Sequence, residues 1–180
     1  MIFSLALCLG AMVAATAAQP VERGVESGVL DMMNLVNVSE TLVVYKRKHT
    51  QNTTVRCLSA KKKQQYNTTL YEYILRGRNP SKIYGEHSVN VTLQESEGIA
   101  YKSTYTSKNI TYALTLKEMD ESGPCFVIFV KKDDGNEGCE LLVTAPKVSG
   151  KIPKKCQEYY SKNCEGRNIR LHNDDCKYEN

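Results

Sequence analysis

The sequence predicts an all-β protein: an eight-stranded antiparallel barrel with a C-terminal helix packed on its outside and a short N-terminal helix. Three observations carry this. Short segments rich in Val, Ile, Thr and Tyr recur at intervals of about 10 to 17 residues, with turn residues between them. One of them, Cys125 to Val130, is apolar on both faces and needs a cover on the side away from the barrel. A single helical segment follows the last strand, and closing eight strands into a barrel removes the edges an open sheet would leave.

In chain order, the predicted strands are 41–47, 53–60, 68–76, 88–94, 99–106, 109–117, 125–131 and 139–144. Breakers separate them at Gly77 to Pro80, Glu97-Gly98, Gly123-Pro124 and Asp133-Asp134-Gly135. The helix is expected over 153–163, where it can cover the outer face of the Cys125 strand. A weaker helix is expected over 29–37, ahead of the barrel.

Residues Ile2 to Ala15 carry no charge, and small residues follow at Ala15, Ala17 and Ala18. The run falls short of the ~20 apolar residues that span a bilayer. It reads as a signal peptide, residues 1–18, although a basic start is lacking. Residues 19–180 then form a single domain, and no later segment spans a membrane. A secreted, extracellular product is expected. Five sequons agree with that compartment: Asn37, Asn52, Asn67, Asn90 and Asn109 each precede x-Ser or x-Thr. Apart from Cys8 in the leader, six cysteines remain, namely Cys57, Cys125, Cys139, Cys156, Cys164 and Cys176. An even count in the secretory route implies three disulfides, and six cysteines allow fifteen pairings.

The sequons also orient strands, because a glycan cannot enter a barrel and side chains alternate along a strand. Asn109 facing out puts Ile110, Tyr112, Leu114 and Leu116 inside. Asn90 facing out puts Val89, Val91 and Leu93 inside and turns Glu86 outward. Asn67, taken in register with its strand, puts Leu70, Glu72 and Ile74 inside. Glu72 would then be a carboxylate within the barrel, costly unless partnered.

The net charge is +4, gathered in Lys46-Arg47-Lys48-His49, Lys61-Lys62-Lys63 and Lys151 to Lys155. These runs read as solvated loops. With no RNA-binding motif and no long basic stripe, nucleic acid is not an expected partner. The chain carries no G-x-S-x-G or H-E-x-x-H, and its three histidines, His49, His87 and His172, lie in polar segments. With the cysteines consumed in bridges, neither a metal site nor an enzyme is expected, and no cofactor.

The segment Cys125-Phe-Val-Ile-Phe-Val, then Asp134-Gly-Asn-Glu-Gly-Cys-Glu-Leu-Leu-Val, then Lys151-Ile-Pro-Lys-Lys-Cys resembles the C-terminal half of tick salivary lipocalins of the histamine-binding protein family. The resemblance covers about 55 residues; the N-terminal half agrees in strand order and in Cys57. It implies a lipocalin-like barrel with bridges Cys57–Cys176, Cys125–Cys156 and Cys139–Cys164. It also implies sequestration of a small host mediator, a biogenic amine such as histamine or serotonin, which dampens inflammation and haemostasis.

An ammonium in a low-dielectric cavity needs a carboxylate at close range and aromatic walls. Glu140 matches the acidic residue of the family's C-E-L-W-like strand, Leu142 stands where tryptophan is usual, and Tyr101 corresponds to a pocket aromatic. Face parity adds Tyr112 and Glu72 as ligand-binding candidates. The chain departs from the family in having no tryptophan. Where amine binders carry a second acid before Cys125, it has Leu114 or Leu116. Such a pocket suits a less polar amine or a lipid mediator such as a leukotriene or thromboxane. The alternative classes are a lumen filled by its own side chains, and an inhibitor of coagulation, platelets or complement that meets a host protein through surface loops.

Overall fold

The computed structural model describes residues 30–95 and 101–178, with Glu95 and Tyr101 by backbone only. The expected signal peptide and the side chain of Tyr101 lie outside the described residues. A short helix α1 (Met32–Val36) leads into β1 (Leu42–Arg47), β2 (Arg56–Gln65), β3 (Leu70–Arg78), β4 (Tyr84–Glu95), β5 (Tyr101–Ser107), β6 (Ile110–Met119), β7 (Cys125–Lys132) and β8 (Glu137–Thr144). Helix α2 (Lys154–Asn163) and a two-residue strand β9 (Ile169–Arg170) complete the chain.

Neighbouring strands pair antiparallel from β2 through β8, and β1 closes the cylinder by pairing with both β8 and β2. β1 reaches β2 only at Leu42↔Ala60 and Val43↔Ser59; its second half turns to β9 at Lys46↔Arg170 and Arg47↔Ile169. A bulge between Val44 and Lys46 allows the change of partner and resets which side chains face inward.

Two apolar layers result. The inner one contains Tyr71, Tyr73, Val89, Val91, Leu116, Phe126 and Ile128. The outer one contains Cys125, Val127, Leu141, Val143, Cys156 and Tyr160, so α2 covers the second face of β7 and β8 as the apolar run requires. Tyr160, 1% exposed, anchors the helix, with the ammonium groups of Lys46 and Lys48 4.7 and 5.0 Å from its ring centroid. Disulfides join Cys125–Cys156, Cys139–Cys164 and Cys57–Cys176. The first two pin α2 to β7 and β8. The third ties the C-terminal tail to β2, where Arg78 at the end of β3 also pairs with Asp175 at 2.8 Å.

Asn90 faces out, with Val89, Val91 and Leu93 buried inside, but Glu86, expected outward, borders the open end of the cavity. The β6 parity is likewise as read, but Asn109 itself lies in the two-residue turn between Ser107 and Ile110. Lys108 and Asn109 both have positive φ there, 52° and 62°, the pattern of a type I′ hairpin. The β3 parity is the reverse of that read from Asn67. Asn67 Oδ1 accepts from the backbone N–H of Thr69 and Leu70, both at 2.8 Å, so this residue makes a turn and sets no strand register. Tyr71, Tyr73 and Leu75 therefore belong to the inner layer. Leu70, Glu72 and Ile74 face outward.

Candidate functional site

The barrel encloses a cavity of about 980 Å³. Its floor is α1, which presents Met32, Leu35 and Val36 to the lumen. Asp31 caps that helix by accepting from Met33 N at 2.8 Å, and Lys62 Nζ, reaching from β2, donates to Val36 O at 2.7 Å. The lower walls are apolar, with Leu42, Val44, Ala60, Val91, Leu114 and Ile128. Thr50, Thr53, Asn79, Ile83 and Lys108, on the loops at the far end, form the rim.

The polar side chains of the lumen gather toward that rim. The bulge in β1 turns Arg47 inward, and the chain beyond it brings in His49 and Thr50. Lys132 ends β7, and Glu140 on β8 pairs in register with Arg47. These groups form one chain of hydrogen bonds. Lys132 Nζ lies 3.4 Å from Thr50 Oγ1, which lies 2.9 Å from His49 Nδ1; His49 Nε2 lies 3.0 Å from Glu140 Oε1. A lysine only donates and a carboxylate only accepts, so Lys132 donates to Thr50 Oγ1 and His49 Nε2–H donates to Glu140, while His49 Nδ1 and the Thr50 hydroxyl share the bond between them.

Arg47 stands apart from this chain. It is 8% exposed, and its one hydrogen bond among the described residues runs from Nη2 to the carbonyl of Thr50 at 3.3 Å. Its Nε is buried without a partner, as is the hydroxyl of Tyr73 lower in the lumen. Thr50 holds its place at φ 48°, a left-handed conformation that a β-branched residue rarely adopts.

Two tyrosines form the adjoining wall. Tyr105 and Tyr112 stack with centroids 4.6 Å apart and planes 5° from parallel, and Lys132 Nζ sits 5.4 Å from the Tyr112 ring. Burial holds the Tyr105 hydroxyl well above the usual phenol range, with the Glu140 charge adding to it. Across the lumen, His87 Nε2 meets Ser107 Oγ at 2.7 Å.

Of the residues singled out from the sequence, Glu140, Leu142 and Tyr112 line the cavity. Glu72 does not. It sits on the outer face of β3, where it accepts from Lys63 Nζ at 2.8 Å and Tyr66 Oη at 2.9 Å, and these bonds with that of Ser88 hold its carboxyl down at about 2. Arg47 and His49, read as a solvated basic run, are buried lumen residues instead. Strand alternation within the run Lys46 to His49 could have separated the inward pair from Lys46 and Lys48. The nearby bulge, which sets the phase, has no mark in the sequence.

The family model for the tick histamine binding protein matches residues 29–178. Among solved structures, the chain is similar to Japanin from Rhipicephalus appendiculatus bound to cholesterol, with a TM-score of 0.55 and 12% identity, over 77% of this chain and 95% of that one. At that identity the likeness speaks for the fold alone. No curated protein matches the chain in sequence.

Proposed function

The chain belongs to the tick histamine binding protein family, and from that premise we propose that it is a secreted, glycosylated carrier that takes a small host mediator into its barrel. One observation carries the reading: a lumen of about 980 Å³ with apolar lower walls, a helix for a floor and a polar cluster near its mouth. That volume lies at the upper end of small-molecule sites, which run about 300–1,000 Å³. A histamine-sized amine would leave most of it empty, whereas a long-chain or sterol-sized lipid would fill it. The volume therefore favours a lipid over a small amine. The amine reading keeps support from Glu140, which faces the lumen beside the stacked Tyr105 and Tyr112.

Secretion fits the three disulfides, and no described helix is long and apolar enough to cross a membrane. Glycosylation fits the exposure of all five sequon asparagines. Native mass spectrometry of the glycosylated protein, followed by calorimetry with lipids and amines, tests the reading. A retained small-molecule mass is expected, and Leu142→Trp, which intrudes on the lumen, should weaken its binding. An empty lumen that binds neither class, in a protein that still blocks clotting or complement, would move the function to the surface loops.

A further inference from the structure

Resting on the carrier reading, we propose that the ligand is an amphipathic acid whose carboxylate is received by Arg47, with Lys132 beside it. The family's amine logic is thus reversed in this chain. An ammonium ligand would turn to Glu140, of which one oxygen already accepts from His49 at 3.0 Å, and Lys132 is paired at 2.9 Å with Asp134. The guanidinium of Arg47 is a buried lumen cation without a counter-ion. Among the described residues no carboxylate lies within ion-pair distance of Arg47, although it is 8% exposed and only one of its bonds is made.

A buried charge without a partner is costly, and a ligand carboxylate that arrives with an apolar tail removes the cost. A guanidinium offers five N–H donors in a planar fork, and the unpartnered Nε together with an Nη is the edge that receives a carboxylate in two bonds. The charged side chains that border the cavity agree: Arg47, Arg76, Lys108 and Lys132 stand beside Glu86 and Glu140, with Lys132 also paired to Asp134. Arg47 and Lys132 both converge on Thr50, one on its carbonyl and one on its hydroxyl, so the two positive groups are held at one place. Below them the walls are mostly apolar down to α1, with the hydroxyls of Tyr73, Ser59 and Ser103 among them, an arrangement that suits a hydrocarbon tail.

The test compares three probes with one tail, dodecanoic acid, its methyl ester and dodecylamine, titrated by calorimetry into delipidated protein at neutral pH. The acid is expected to bind roughly tenfold or more tightly than the ester, as a charge-assisted bidentate pair implies. Arg47→Met should remove most of the acid's advantage over the ester, a ratio that a general loss of fold or cavity volume leaves unmoved. The comparison of head groups on the unaltered protein needs no variant to fold. Equal affinity for acid and ester overturns the inference, and so does tightest binding of the amine, which would make Glu140 the anchor. If none of the three binds but a neutral molecule is retained, the inference falls and the carrier reading stands. If the lumen is empty by every assay, the carrier reading falls too.

Discussion

Leu141 and Leu142 are adjacent on β8, both buried at 0% and 5% exposure, yet they face opposite worlds. Leu141 belongs to the layer between the barrel and α2, while Leu142 borders the lumen. Shortening either to alanine removes three carbons from an apolar site, worth about 2 kcal/mol in transfer. The void term differs. Beneath α2 the new hole has no neighbour to merge with, and at ~24 cal/mol per Å³ an unrelaxed leucine-to-alanine void adds up to about 2 kcal/mol. At the lumen wall the deletion only enlarges a space that is already hollow, and the added cost is small. Leu141→Ala should therefore cost about 4 kcal/mol and Leu142→Ala about 2. At ~2–4 °C per kcal/mol for a domain of this length, the Tm falls differ by about 4–8 °C. Urea unfolding with disulfides intact measures both, and calorimetry should find ligand affinity altered only in Leu142→Ala. If Leu142→Ala proves the more destabilising of the two, the lumen is packed and the reasoning fails.

Three further outcomes are expected. The double variant Cys57→Ser with Cys176→Ser opens a loop with a sequence separation of 119; in the chain-entropy model this lowers stability by up to about 4–5 kcal/mol, read in urea under oxidising conditions. Glu72 contributes through a carboxyl lowered from its ordinary 4.5 to about 2 by bonds from Lys63, Ser88 and Tyr66. A lowered folded-state value means that its stabilisation is complete above about pH 4.5 and is lost as pH falls toward 2. Unfolding of Glu72→Gln should thus depend less on pH across that window, with ligand affinity unchanged because the residue lies outside the lumen; an altered affinity would contradict the outward placement. Glu140→Gln should strengthen binding of dodecanoic acid by a few-fold and weaken any binding of dodecylamine, since it removes the lumen carboxylate nearest the cluster. The opposite pair of shifts in calorimetry would reinstate the amine reading.

Much of the architecture was legible because strands announce themselves by alternation and breakers, and because burial on both sides leaves a continuous apolar run. Cys125 to Val130 is the clearest case: its outer face required a cover, and α2 supplies it. Parity from sequons succeeded at Asn90, which sits within β4, and failed at Asn67, which the local bonds of its own side chain place in a turn. Glu140 and Leu142 stand out by resemblance to the family's C-E-L-W-like strand, and the phase of β8 agrees, since Cys139 faces outward to the helix. Arg47 and His49 escaped detection for a different reason. The bulge between Val44 and Lys46 inverts the alternation that Leu42 and Val44 begin, and a run of four basic residues carries no apolar member to show which two turn in. The hydrogen-bond chain through Thr50 is likewise a product of tertiary approach, since it joins residues 82 and 91 positions apart.

The two cross-links that fasten α2 to the outer wall have a consequence for how such a shell diversifies. Rigidity here resides in the layer behind β7 and β8, remote from the compartment where a guest sits. Substitutions on the guest-facing side of the staves thereby cost the vessel less than those beneath the helix. One scaffold can be refitted for chemically unrelated cargoes, by swapping a handful of inward residues, without relearning how to fold.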